Sequence, residues 1–249
     1  MPHPWPLQRL FHNQTPINNM RLQPLAPGLW SFAYETKLMG IAFPCKCFVL
    51  QRAGGLLVVS PGTWEAGLSA ELLKLGEVKW VFCPNSFHHV HVLDWVKAFP
   101  LAEVFAPAAL AKKRPELAFT PVTPGGQPFG PEVQLYPVMG AGTISENLVF
   151  HPASGSLILT DLVFNVQESR PLWTQFMFKM VGIHNQCATS KIFKQGVSDK
   201  AVLAKSLEPV WGLAVKEVYP NHGDPLSLDA APGQNPLARL QAALAWAQA

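Results

Sequence analysis

The sequence is short of charge and of any cysteine pattern. Asp, Glu, Lys and Arg make up 14% of its 249 residues, and the formal net charge of +3 is slight. A chain so weakly charged lacks the electrostatic footprint of a nucleic-acid binder. Its one tight basic cluster, Lys112, Lys113 and Arg114, reads as a solvated turn. The cysteines, Cys45, Cys47, Cys83 and Cys187, form no C-x-x-C pair, so nothing suggests a disulfide framework. Cys45 and Cys47 fall two apart in an expected strand. They point to the same side and are poorly placed to bridge each other. The opening "MPHPWPLQRLFHN" has no apolar h-region of a signal peptide, and no run approaches the ~18 apolar residues of a membrane span. The expectation is a reduced, cytoplasmic protein with no membrane or nucleic-acid partner.

What the chain does have is apolar bulk interrupted by turns. Apolar residues make up 49% of it, with 24 prolines and 18 glycines, enough for a large buried core and for many loops. Residues 1–27, rich in Pro, Asn and Gln, read as an extended arm. Residues 28–249 then read as a single domain that includes a C-terminal helix. "GLWSF" (28–32), "KCFVLQ" (46–51) and "GLLVVS" (55–60) are expected strands, the last two joined by a turn. Thr63 is placed to cap a helix whose Leu68, Leu72 and Leu75 share a face and which Gly76 ends. "VKWVFC" (78–83) and "AEVFA" (102–106) are further strands. Between them lies a helix with Val90, Leu93 and Val96 at helical spacing. Alternation of strand and helix predicts parallel strands covered by helices.

From 131 the character changes. "VQLYPV" (133–138), "NLVFH" (147–151) and "SLILTD" (156–161) are strands, the last two forming a hairpin. "LWTQFMFKMV" (172–181) is a helix whose Trp173, Phe176, Met177 and Met180 form a stripe expected to face the core. A helix over 198–212 is expected to be capped by Ser198. "VKEVYP" (215–220) is a strand leading to "NHGDP", and Asn235 with Pro236 opens a closing amphipathic helix.

The chemistry-bearing residues fall just past strand ends. "CPNSFHHVHVLDW" (83–95) puts His88, His89 and His91 within four positions, at spacings that fit no single-segment zinc pattern. A His-rich turn opening a helix, a later hairpin ending in "LTDLVFN" and a last strand ending in "NHGDP" occur in that order. Together they resemble the metallo-β-lactamase superfamily over roughly residues 25–225. The resemblance implies a four-layer αβ/βα sandwich, two mixed sheets packed face to face with helices outside. The "PNSFHH" turn also resembles a branch of that superfamily that reads PN-x-x-HH, from which no activity carries over.

The superfamily's turn is T-H-x-H-x-D-H. Laid on Cys83 to His89, it replaces the two histidines of the first metal by Pro84 and Ser86. A slip of one residue puts Asn85 and Phe87 there instead. The third histidine of that metal falls on Gly142 in "MGAGTISEN". The resemblance therefore implies that the first metal site is lost. For the second metal it keeps His89, Asp161 and His222, with His88 in place of an aspartate as a possible fourth ligand. His91 corresponds to no motif position and reads as packed or exposed. His151 lies opposite about Ser156 in the hairpin, too far along the strand to reach Asp161. Thr63 and Trp64 fall near a loop that flanks the site in this fold.

Two histidines and a carboxylate suit one zinc ion, or iron(II) with open positions. The implied activity is single-metal hydrolysis of an ester, thioester, lactam or phosphoester, with the substrate itself unspecified. The competing reading is a metal-free, non-catalytic binding or scaffolding protein in which His89, Asp161 and His222 form a hydrogen-bonded remnant. A redox reading with iron uses two irons and an added flavin domain, and the chain carries neither those ligands nor that length.

Overall fold

In the central strands, apolar side chains on both faces are buried, and this organises the molecule. The computed structural model describes residues 21–38, 41–167, 170–227 and 235–248. A seven-stranded sheet runs in the order β1 (Gln23–Ala26), β2 (Leu29–Leu38), β3 (Ile41–Arg52), β4 (Gly55–Val59), β5 (Val78–Phe82), β6 (Glu103–Pro107), β7 (Thr120–Val122). A four-stranded sheet runs β13 (Glu217–Pro220), β10 (Ser156–Leu159), β9 (Asn147–His151), β8 (Gln134–Pro137). A small ribbon pairs β11 (Phe164–Val166) with β12 (Gln186–Ala188).

Leu57, Val59, Phe82, Val149, Ile158 and Tyr219 belong to one cluster between the two large sheets. Their sequence neighbours Leu56, Val58 and Val81 pack outward with Leu68, Leu72, Val92 and Trp95. Leu148, Leu157 and Val218 do the same on the other side with Leu203, Leu207, Val210 and Leu240. Alternate residues of each strand thus fill two different cores, which is why these strands are apolar throughout. The helices that cover the large sheet are α1 (Ala66–Leu75) and α2 (Val92–Ala98). Those in the second half are α3 (Leu172–Val181), α4 (Lys191–Gln195), α5 (Lys200–Trp211) and α6 (Pro236–Ala243). The result is the expected four-layer sandwich.

β4 to β7 pair in parallel, as strand–helix alternation requires. β9 and β10 form the expected hairpin with His151 opposite Ser156, and β10 pairs in parallel with β13. Within the expected arm, Gln23–Ala26 is an edge strand on β2. Residues 1–20 of that arm lie outside the described residues.

Several local expectations are corrected. Glu65, not Thr63, precedes α1, and no side chain caps it. Trp64 instead packs against Trp95 and Phe99 in the outer core. α5 is capped by Asp199, whose carboxylate accepts from Val202 N, while Ser198 donates to the Gly140 carbonyl. Most of the stripe on α3 faces outward: Trp173, Phe176 and Met180 are exposed, Met177 is half-buried against the cluster around Phe178, and Thr174 and Phe178 are the buried positions. The helix after the histidines begins only at Val92, and Val90 is exposed. Asn235 and Pro236 open α6 as expected. Among the described residues no helix is long and apolar enough to cross a membrane, and all four cysteines are free.

Trp95 fastens α2 to the sheet. It is fully buried, stacks on Phe32, and donates from Nε1 to the Gly62 carbonyl at 2.7 Å. Trp95→Ala removes both the ring and that hydrogen bond. Urea unfolding followed by circular dichroism is expected to show a loss of about 3–5 kcal/mol.

Candidate functional site

Four strands deliver residues to one rim: β4 and β5 from the large sheet, β10 and β13 from the small one. Parallel pairing within each sheet aligns their carboxyl ends, where open αβ sheets place their sites. β4 ends in Ser60, β5 in the 83–91 turn, β10 in Thr160 and Asp161, and β13 in Asn221 and His222. Hydrogen bonds then stitch the two rims together. Asn147 N donates to the Pro84 carbonyl and Ser86 N to that of Ile144, each at 2.9 Å.

Asp161 lies between two imidazoles. His88 Nε2 is 3.3 Å from its Oδ2, and His222 Nε2 is 3.4 Å from its Oδ1. One ligand atom from each of the three residues lies within 4.8 Å of the other two. They are the one such His/Cys/Asp/Glu group among the described residues. The far nitrogens of both rings are fixed. His222 Nδ1 donates to the Pro44 carbonyl at 2.8 Å, and His88 Nδ1 meets Ser60 Oγ at 2.8 Å. A carbonyl can only accept, so Nδ1 of His222 carries a proton and its Nε2 is the atom that can ligate. Phe164 stacks on the His222 ring at 4.6 Å, and Phe43 packs edge-on against it.

His89 does not join this group. The resemblance puts His89 among the ligands of the second metal, with His88 as a possible fourth, in a turn that opens a helix. The chain instead makes tight turns from Ser86 to His91. Asn85 Oδ1 accepts from both Phe87 N and His88 N at the start of them. In that conformation His88 faces Asp161, and His89 Nδ1 accepts from Arg114 Nε at 2.9 Å. Burial, with Arg114 and Lys113 nearby, pushes the His89 ring down to about 4. It is neutral at physiological pH. His91 packs edge-on against Tyr34. His151 bonds Ser154.

Several residues that support the cluster carried no motif. Asn85, fully buried, donates through Nδ2 to Asp161 Oδ2 at 2.6 Å and to Thr160 Oγ1 at 2.9 Å. Ser60 has φ of 56°, a left-handed conformation that costs energy for a residue with a side chain. Its Oγ also accepts from Asn221 Nδ2 at 2.9 Å, so one strained hydroxyl links β4, His88 and the β13 end. Gly223 follows His222 at φ of 100°, and a Cβ there would collide with the Asn165 carbonyl. Lys113 donates to the Ser86 carbonyl at 2.9 Å. The basic cluster is therefore not a merely solvated turn, since Lys113 and Arg114 both grip the histidine turn.

Charge at the site is balanced around Asp161. Burial opposes its ionisation, but His88 and His222 outweigh that and hold the carboxyl well below the usual range. Burial likewise opposes charge on His222, yet Cys45 Sγ near Nδ1 and the Asp161 carboxylate hold it above the ordinary histidine range. Glu146 is the fully buried acid beside it. Its two oxygens accept from Thr160 N at 2.8 Å and Asp161 N at 2.9 Å, which fixes the backbone that presents Asp161. Burial and the Asp161 charge push Glu146 up to about 7.

That shift has a measurable consequence. Below about pH 4.3, the ordinary glutamate value, folded and unfolded chains both hold the Glu146 proton, and its stabilising contribution is complete. As pH rises toward 7 only the unfolded chain releases the proton, so stability falls, by at most about 1.4 kcal/mol per pH unit. Above 7 both states are ionised and the slope ends. Urea unfolding of metal-free protein is expected to show wild type losing stability relative to Glu146→Gln between pH 5 and 7, with the difference levelling off between 7 and 8.

No family profile matches the sequence, and no curated protein matches it. Solved structures do. The chain is similar to the metallo-β-lactamase TMB-1, with a TM-score of 0.64 at 14% identity over 93% of this chain and 98% of that one. The metallo-β-lactamase FIM-1 from Pseudomonas aeruginosa, solved in a mono-zinc form, superposes with a TM-score of 0.58 at 11% identity over 92% and 97%. The flavodiiron core of Flv1 from Synechocystis gives a TM-score of 0.61 at 11% identity, covering 94% of this chain and 63% of that one. The layered sheets, the shared rim and these likenesses together give this chain the metallo-β-lactamase fold.

Proposed function

We propose that the protein is a single-metal hydrolase in which His88, Asp161 and His222 hold one zinc or iron(II) ion. The spacing of the donor atoms carries this reading. One donor atom from each of the three residues lies within 4.8 Å of the other two, and the two His–Asp separations are 3.3 and 3.4 Å, a convergence that a single ion could bridge. The donor set is two neutral-capable imidazoles and a carboxylate, with each imidazole already oriented from its far side, as ligating histidines are. His88 takes the place that the sequence reading gave to His89. Pro84, Ser86 and Gly142 stand where the resemblance puts the other three histidines, so we assign one ion and not two.

A divalent ion there supplies a Lewis acid and lowers the pKa of a coordinated water toward ~7. The chain's own residues do the rest. Asn85 holds one Asp161 oxygen so that the carboxylate keeps a single orientation. The Pro44 carbonyl and Ser60 hydroxyl keep both Nε2 atoms turned inward. Phe164 and Phe43 keep water from the face of His222 and lower the local dielectric. The substrate classes that need only one activated water are an ester, thioester or lactam, with a phosphoester as the more demanding case. Mono-zinc FIM-1 and the flavodiiron core of Flv1 show that this fold accommodates zinc and iron in other chains.

Metal analysis after zinc loading and gel filtration tests the ligand set. Wild type is expected to hold about one ion per chain. His88→Ala, Asp161→Ala and His222→Ala are expected to lose it, and His89→Ala to keep it. Loss in His89→Ala with retention in His88→Ala restores the first register. A wild-type chain that takes up no metal leaves the non-catalytic reading standing.

A pH series adds an independent check. His222 is held protonated above its ordinary range and must release a proton before Nε2 can ligate. Zinc affinity is therefore expected to rise with pH from 6 to 8, by up to about tenfold per unit, with proton release on binding. Competition titration against a chromophoric chelator measures it.

A further inference from the structure

Lys113 extends from the loop after the 3-10 turn at Ala108–Lys112 and reaches back to the histidine turn. Its Nζ donates to the Ser86 carbonyl at 2.9 Å and lies 3.3 Å from Ser86 Oγ. It also sits 3.9 Å from the centre of the Phe87 ring, a cation–π contact. A surface lysine ordinarily leaves its ammonium in water; this one is directed onto a backbone carbonyl two residues before His88.

Ser86 is itself fixed. Its hydroxyl donates to the Thr143 carbonyl at 2.7 Å and its N–H to that of Ile144 at 2.9 Å. This is where the 83–91 turn meets the 142–144 loop, the corner from which imidazoles are missing at positions 86 and 142. Asn85, next in the chain, holds Asp161 Oδ2 at 2.6 Å. The corner therefore carries a side-chain ammonium close enough to feel the Asp161 charge. Two of the three ammonium donors are committed to Ser86, which leaves one for an incoming group.

We propose that Lys113 anchors an anionic oxygen group of the substrate, a phosphate or a carboxylate, at this corner of the rim, so that the hydrolysed bond of such a substrate is presented to the His88–Asp161–His222 cluster. This deepens the hydrolase reading and rests on it for the hydrolysed bond, while the anion site itself stands on Lys113 and Ser86. The Phe87 ring covers one side of the ammonium, and a hydrogen bond from a charged donor to an anion is stronger than a neutral one. Arg114 beside it is already occupied by His89, Glu116 and the Val90 carbonyl, so the anchoring role falls to the lysine.

The test is a chemical-shift titration of the full chain with inorganic phosphate and, separately, sodium acetate. It is run on protein as purified and after removal of metal, reading the backbone amides of Asn85 to His88. Wild type is expected to saturate with at least one of the two anions, and which one it is separates a phosphate-bearing from a carboxylate-bearing substrate. Lys113→Met keeps the aliphatic stem and is expected to weaken binding by about tenfold or more, with Lys113→Arg in between. Lys112→Met removes the same charge one residue away and is expected to bind like wild type. Melting temperatures control for folding, and Lys113→Gln replaces the Met variant if that one does not fold. The proposal is overturned by saturation in neither anion, by wild-type binding in Lys113→Met, or by equal loss in Lys112→Met. Zinc content of the same samples keeps the two readings apart. A chain that takes up no zinc yet binds anion through Lys113 sinks the metal reading alone, and zinc uptake with anion binding indifferent to Lys113 sinks this one alone.

Discussion

One half-buried carboxylate ties the two sheets of this protein into a single rim. Asp161, at the end of a strand of the smaller sheet, faces His88 and Asn85 from the larger sheet and His222 from its own. A carboxylate in such a place is stable only because cations and N–H donors surround it on several sides. The neighbouring geometry serves that requirement. Glu146 clamps the backbone that presents it, and Asn85 both holds one of its oxygens and shapes the turn that brings His88 inward.

The same arrangement makes the cluster suited to exchange. Without a metal, protonated imidazole balances the carboxylate. A metal ion held there would take over that balance in place of the proton, and the contacts of Nδ1 with Pro44 and Ser60 would not need to change. The site is thus preorganised from its outer side, where the partners are a backbone carbonyl and a hydroxyl held by a strained residue. Lys113 contributes a further charge on the side where the resemblance expects more imidazoles. The net effect is a rim that gathers an acid, two imidazoles and an ammonium from distant parts of the chain.

Much of this was readable along the chain. Continuous apolar strands, a hairpin at "PASG" and strand–helix alternation point to the sandwich, because burial on two faces and parallel pairing leave direct traces in residue type. Asp161 and His222 stand at strand ends and belong to a recognisable order of motifs. His88 and His89 were not distinguishable. Adjacent residues in a turn can exchange inward and outward positions with a small change in where the helix begins, and that depends on Asn85 capping two N–H groups. The α3 stripe failed for a related reason. Periodicity shows that Trp173, Phe176 and Met180 share a face, but not whether another layer covers it.

The sequence by itself determined the layers, because strand burial on both faces and helix faces are local patterns of hydrophobicity. It also determined which residue types, a carboxylate and imidazoles, were available past the strand ends. Only the tertiary structure decided which histidine meets Asp161, that Glu146 and Asn85 position it, and that Lys113 turns back to Ser86. Those outcomes depend on contacts between residues 14 to 76 positions apart, set by the register of two sheets whose relative placement no single segment encodes.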